Sequence, residues 1–155
     1  MARNYTLRAA TLEDLPTLRE FEQGVVDAER DFTSRLVDGE VNYYDLNHLI
    51  QSDKSKILVA IDEDDQLVAC GYARLELDKA YFQPRPYAYL GFMYVVPAWR
   101  GRGVIQAVID ALLEWGREQG ISTYKLDVFA GNQSAIRAYE KLGFVPEMME
   151  MIRQE

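Results

Sequence analysis

Leu12, Leu15, Leu18, Phe21, Val25 and Val26 recur at three- and four-residue steps, the spacing of one face of a helix. Thr11 followed by Asp14 makes a capping-box pattern, with Asp in place of Glu, and marks the helix start. A short strand over residues 5–9 precedes it. A turn-rich stretch, 33–39, separates it from a second helix expected over 43–52, with Leu46, Leu49 and Ile50 as its apolar face. The period then changes. Residues 57–61 read as a buried strand, 63–65 as a turn and 67–75 as the returning strand of a hairpin. Pro84 and Pro86 mark a loop, and a further strand over 87–96 is closed by Pro97. Its alternation places Tyr87, Tyr89, Gly91 and Met93 on one face, and Ala88, Leu90, Phe92 and Tyr94 on the other.

A long helix is expected over 101–120, with Val104, Val108, Leu112 and Trp115 on one face and Gly120 at its end. A strand over 122–129, a helix over 132–142 capped by Asn132 and stopped by Gly143, and a last strand over 144–152 complete the chain. A helix joining two strands of one sheet implies a parallel pair with a right-handed crossover, and the hairpins imply antiparallel pairs. The expected fold is therefore α/β (α+β), a mixed sheet with helices on both faces, in one domain over 1–155.

Composition narrows the function. The 155 residues are 48% apolar and 27% charged, which fits a single globular domain. No run of 18 apolar residues is present, so no membrane span is expected. The first residues hold no apolar signal segment, and a cytoplasmic protein is the expectation. Cys70 is the only cysteine and His48 the only histidine. A disulfide framework, a thiolate zinc cluster and a histidine-based hydrolase triad all lack their residues, and no metal is expected.

Seventeen basic against 25 acidic side chains give a net charge of −8, which argues against a nucleic-acid partner. Between 11 and 45 stand ten carboxylates and three arginines. Such a run serves solubility, or provides a field that draws in a cationic substrate.

Residues 93–104, Met-Tyr-Val-Val-Pro-Ala-Trp-Arg-Gly-Arg-Gly-Val, run from a strand through a glycine turn into a helix. A helix start leaves backbone N–H groups unpaired and carries partial positive charge. Gly101 and Gly103 allow close approach of a ligand to the backbone, and Arg100 and Arg102 add charge, so the turn reads as an anion site. It is neither a Walker A loop nor Gly-x-Gly-x-x-Gly, because the third glycine slot is Gln106.

With its neighbours this turn resembles motif A of the Gcn5-related N-acetyltransferase (GNAT) family, in which Arg/Gln-x-x-Gly-x-Gly/Ala binds the pyrophosphate of acetyl-CoA. Arg100 and Gly103 match. Ile105 stands where the family has a small residue, and it is expected to point into the core and leave its N–H available. Residues 132–144, with Asn132, Ala135, Tyr139, Gly143 and Phe144 at fixed offsets, resemble motif B. The pattern of residues 7–15 is also typical of the family.

The resemblance implies a mixed, mostly antiparallel sheet of six to seven strands with a central parallel pair. It implies transfer of an acetyl group from acetyl-CoA to a small-molecule or peptide amine. It places the cofactor on Tyr94, Val95, Arg100, Gly101, Arg102, Gly103, Val104, Ile105 and Asn132, and makes Tyr139 the acid that protonates the departing thiolate. Without the motif, Tyr139 is a packed aromatic and Asn132 a plain helix cap.

No carboxylate stands at residues 90–93, where many relatives keep a base; Gly91 opens space there instead. Water, Glu29, Asp31 or Asp127 remain as the base. Tyr44 and Tyr89, near Gly91, are expected to box a cationic acceptor by cation–π contact. A homodimer fits the resemblance and the prevalence of twofold symmetry. A non-catalytic acyl-CoA sensor is the alternative reading.

Overall fold

The computed structural model describes residues 4–155, so Met1, Ala2 and Arg3, part of the start expected to hold no signal segment, lie outside the described residues. Strand β1 (Tyr5–Ala9) leads through a 3-10 turn (Leu12–Asp14) into helix α1 (Leu15–Glu29). Asp14 fixes that entry. Its carboxylate accepts the Thr11 N–H at 2.8 Å and both guanidinium N–H groups of Arg8 on β1, at 2.7 and 2.9 Å. Helix α2 (Leu46–Gln51) is shorter than expected, because Asp45 caps it by accepting the His48 N–H at 3.2 Å. Tyr43 and Tyr44 therefore belong to the preceding loop.

Strands β2 (Ser55–Asp62), β3 (Leu67–Leu77) and β4 (Pro86–Val95) follow. Helix α3 (Val104–Glu118), strand β5 (Tyr124–Lys125) and helix α4 (Gln133–Lys141) complete the elements. The sheet runs β1-β2-β3-β4-β5, antiparallel except for the β4–β5 pair. Leu18 and Phe21 of α1 with Leu46 and Leu49 of α2 pack on one face, against Ile57, Val59, Tyr72 and Phe92. Val108, Ile109 and Leu112 of α3 pack on the other, against Ala73, Ala88 and Leu90, and Tyr139 and Leu142 join them there. Helices on both faces of a mixed sheet are as expected.

Three expectations need correction. Among the described residues the sheet has five strands, not six or seven, and its parallel pair lies at the edge, not the centre. The strand expected over 122–129 pairs only at Tyr124 and Lys125, and residues 144–152 form no strand. Apolar pattern makes a segment able to be a strand; a neighbouring edge with free backbone groups makes it one. Among the described residues of this chain no such edge reaches 144–152.

The third correction concerns β4. Cys70 pairs with Tyr94 and Tyr72 with Gly91, so two steps along β3 match three along β4. The extra residue is Phe92, at φ 57°, in the left-handed region that non-glycine residues seldom enter. Such a bulge inverts the alternation beyond it. Phe92 and Tyr94 join Tyr89 on the α1 face, while Met93 joins Ala88 and Leu90 on the α3 face. The faces assigned from simple alternation are correct only up to Gly91.

Candidate active site

The bulge and the short β5 together open a wedge. β4 and β5 pair only at Ala88 with Tyr124 and Tyr89 with Lys125, and then part. From Leu90 to Val95 that side of β4 has no strand beside it among the described residues. The Val96 N–H bonds to the Val68 carbonyl of β3 at 2.9 Å, so alternation turns the N–H and C=O of Val95 and Met93 toward the open edge. The Val95 carbonyl there accepts Arg100 Nε at 3.0 Å.

The end of β4 leads through a 3-10 turn (Pro97–Trp99) into the glycine turn and α3. Gly101 and Gly103 have φ of 75° and 77°, and a Cβ at either meets nothing within 4 Å. Glycine is thus needed here for backbone conformation, not for space. Gly103 is the N-cap of α3, and the N–H groups of the first turn have no intrahelical partner. The Arg102 guanidinium lies over Trp99 at 4.7 Å and that of Arg100 lies 5.8 Å from the Tyr94 ring. Val104 is buried, and the Ile105 side chain packs on the α3 core as anticipated. Tyr94 stacks on Phe21 at 4.8 Å and faces Gly24, so its side chain turns away from the wedge. Open strand edge, helix N-terminus and two arginines suit a ligand with an extended amide arm joined to a pyrophosphate, as in coenzyme A.

Asn132 caps α4, its Oδ1 accepting the Ala135 N–H at 3.3 Å. Tyr139 packs edge-on to Phe144, centroids 6.1 Å apart, and its hydroxyl has no protein hydrogen-bond partner among the described residues. Burial, with a smaller contribution from the Glu29 carboxylate, raises its pKa. Glu29 ends α1, and burial likewise raises its pKa, against a lowering contact with the Tyr43 hydroxyl. Helices α1 and α4 lie on opposite faces of the sheet. Tyr43 is itself pushed up to about 12, first by burial and then by Glu29.

The other expected acceptor residues fare differently. Asp31 is exposed in the turn after α1. Tyr44 is stacked on Phe92 at 4.7 Å and Tyr72 at 5.5 Å, with its pKa raised by burial. The gap expected at Gly91 is filled: a Cβ there would stand 2.7 Å from the Tyr72 ring. The aromatic box beside it already holds a cation. The Arg74 guanidinium lies 4.3 Å from the Tyr89 ring centroid, bonds the Tyr72 hydroxyl at 2.6 Å, and pairs with Glu76 at 2.8 Å. Burial, followed by the nearby Asp127 carboxylate, raises the Tyr89 pKa.

Sequence reasoning did not find Glu22. Fully buried on α1, its Oε2 accepts the N–H groups of Tyr43 and Tyr44 at 2.9 and 2.8 Å, while Oε1 has no partner. Neighbouring Gln23 bonds both backbone groups of Val41, at 2.7 and 3.3 Å. These two side chains clasp loop 41–44 to α1 and so set where Tyr43 meets Glu29. Glu22 stands among the apolar helix positions, a signal that was available. Tyr72 and Arg74 carried no local signal.

Comparison with known proteins agrees with this architecture. The chain matches the Acetyltransferase (GNAT) family over residues 21–144. It is 31% identical over 112 residues to mycothiol acetyltransferase of Renibacterium salmoninarum, across 68% of this chain and only 32% of that protein's length. The tetramutant of the BH1408 protein from Bacillus halodurans has the same fold, with TM-score 0.87, 22% identity and coverage of 97% of this chain and 99% of that one. A protein from Clostridium acetobutylicum, described as a predicted acetyltransferase and solved with acetyl-CoA, superposes with TM-score 0.74 at 17% identity over 97% and 96% of the two chains. The match over most of the chain, with both motifs lying inside it, places this protein in the GNAT acetyltransferase family.

Proposed function

We propose that the protein transfers an acetyl group from acetyl-CoA to a primary amine on a small cationic molecule or a peptide end, by direct attack. The observation that carries this reading is the open edge of β4 leading into the glycine turn, with Arg100 and Arg102 beside the start of α3. Glu29 and Tyr139 each hold a proton more tightly than usual, which suits a base and an acid.

Acetyl-CoA supplies a thioester whose carbonyl carbon the amine attacks. An amine arrives as an ammonium and must first lose a proton. Glu29 takes it, since a carboxylate whose pKa is raised toward neutrality is a better base than an ordinary one. The N–H groups of Met93 and Val95 on the open edge of β4 stand ready for the negative charge that grows on the carbonyl oxygen. The nitrogen–carbon bond forms, the carbon–sulfur bond breaks, the Tyr139 hydroxyl gives its proton to the departing sulfur, and the surplus proton on the amide nitrogen passes through water to restore the hydroxyl. The glycine turn, Arg100 and Arg102 hold the pyrophosphate; Asn132 orders the start of α4 and with it Tyr139. The acidic stretch from 11 to 45 contains Glu29 and favours a cationic acceptor.

A non-catalytic acyl-CoA sensor is the competing reading, favoured by the lack of a carboxylate on β4 and by the Tyr72 ring closing the space at Gly91. One substitution separates the two. Tyr139→Phe should lower turnover about a hundredfold, within the range of a lost general acid. Its acetyl-CoA dissociation constant in calorimetry should stay unchanged. Unaltered turnover removes Tyr139 as the acid. Tight cofactor binding with no turnover across a panel of amines selects the sensor.

A further inference from the structure

Arg74 stands in the aromatic cluster beside the wedge with part of its guanidinium unused. On the α1 face of the sheet, Arg74 of β3 lies opposite Tyr89 of β4, and Tyr89 lies opposite Lys125 of β5, so the three form one row. Tyr89 is the last residue of β4 to pair with β5, and the wedge opens directly beyond it. The Arg74 Nε bonds Glu76 at 2.8 Å, and its Nη1 bonds the Tyr72 hydroxyl at 2.6 Å. A guanidinium has five N–H donors. Nη2 reaches no hydrogen-bond partner among the described residues. Helices α1 and α2 cover this face over Ile57, Tyr72 and Phe92 but leave the Arg74 side chain 38% exposed. We propose, on the basis of the acetyl transfer to an amine put forward above, that the acceptor also carries a carboxylate, which Arg74 receives, and so is an amino acid in the broad sense.

Charge selects this occupant. The Arg74 guanidinium already lies 4.3 Å from the Tyr89 ring centroid and 5.6 Å from that of Tyr72. A second cation entering these rings meets repulsion, whereas an anion meets attraction. The other cation of the row is committed: Lys125 pairs with Asp78, whose side chain is only 14% exposed. Glu76 is 42% exposed, and an ion pair that open is weak and screened, so Arg74 can take a further carboxylate on its unused edge. The site is also placed for an acceptor whose amine reaches Glu29. Tyr72, held by Arg74, packs 5.5 Å from Tyr44, and the Glu29 carboxylate acts on Tyr44. The order Glu29, Tyr44, Tyr72, Arg74 therefore puts opposite charges at the two ends of one aromatic floor, negative for the ammonium and positive for the carboxylate. Asp127 acts on both Tyr72 and Tyr89, and with Glu76 it limits the anion. One guanidinium beside two carboxylates suits a single negative charge and not the larger charge of a phosphate.

The test compares α-, β- and ω-amino acids with their carboxamides as acceptors. For the best pair, wild-type kcat/KM should favour the acid over its amide by about tenfold or more, the scale of a charge-assisted hydrogen bond, and through KM. Arg74→Gln should bring that ratio close to one. Glu76→Gln removes the competing charge and should raise the ratio severalfold; it also keeps the test open if circular dichroism shows Arg74→Gln unfolded. If Arg74→Gln slows acid and amide alike, Arg74 is a structural brace and the proposal is overturned. A ratio unmoved by Glu76→Gln overturns it too, as does a wild-type preference for amides, or for O-phosphoethanolamine over β-alanine. Binding separates this proposal from the transfer reading. In thermal melts with coenzyme A present, the acid should raise the wild-type midpoint more than its amide does, and Arg74→Gln should abolish the difference. That result without any acetyl transfer counts against the transfer reading alone. Equal or absent shifts across the panel overturn the carboxylate site.

Discussion

The ring of Tyr72 occupies the side-chain position of Gly91. A Cβ at residue 91 would stand 2.7 Å from one ring carbon and 2.9 Å from both the next carbon and the hydroxyl oxygen. The two residues face each other across the β3–β4 ladder, one step from the bulge at Phe92, and Tyr72 is 2% exposed. The missing side chain at 91 therefore accommodates an aromatic ring of the protein itself. That ring in turn braces Tyr44 and the Arg74 guanidinium.

Gly91→Ala should destabilise the fold by about 1–3 kcal/mol, the usual cost of overpacking a closed site. Urea unfolding checks this: the midpoint should fall with little change in slope. An unchanged midpoint would mean that the Tyr72 ring moves aside freely.

Glu29→Gln should reduce kcat/KM by about a hundredfold or more, with the acetyl-CoA dissociation constant preserved. In the wild type the acid limb of the pH profile should lie above the ordinary carboxylate range, because burial raises the Glu29 pKa, and activity should rise as the pH climbs through it. The limb should vanish in the variant. Asp31→Asn, in the exposed turn, should leave both rate and profile alone.

Gly103→Ala places a Cβ at φ 77°, where nothing crowds it but the backbone is strained. The expected loss is about 1–3 kcal/mol of stability. The anion turn should also relax and acetyl-CoA affinity fall. Gly103→Asn should recover much of both, since Asn tolerates the left-handed region. Thermal melts with paired calorimetric titrations read the two effects.

Asp14 should make the fold sensitive to acid. Its bonds with Arg8 and the Thr11 N–H hold its carboxyl below the ordinary value of 3.8. A depressed folded pKa means stability that is fully present above the unfolded value and lost as pH falls through the folded one. Arg8 is 37% exposed, so solvent screens part of the pairing. Asp14→Asn should cost about 1 kcal/mol at neutral pH, the usual scale of a lost cap interaction. In urea titrations at successive pH values the difference from wild type should shrink below about pH 4, toward that ordinary carboxylate value.

Elements encoded within a few consecutive residues were legible in the sequence. The stripe from Leu12 to Val26, the β2–β3 hairpin, the helix after Gly103 and the Asn132 cap depend on local periodicity, turn residues and capping, and they stand where the sequence put them. The glycine turn was also readable, because positive φ and a helix start are properties of a short segment. The resemblance in residues 93–104 and 132–144 led to the family for the same reason.

Tertiary structure decided what depends on distant partners. Phe92 carries no mark of a bulge; its left-handed backbone is imposed by the register of β3 against β4, and that register turned Met93 to the other face. Gly91 read as open space because Tyr72, nineteen positions earlier, is its neighbour only across the ladder. The wedge beside the end of β4 opens only because β5 pairs at Tyr124 and Lys125 and then parts from it. Residues 144–152 have the composition of a strand and no strand beside them. Side-chain pattern is written along the chain, but the backbone groups that turn pattern into pairing lie wherever the fold brings another edge.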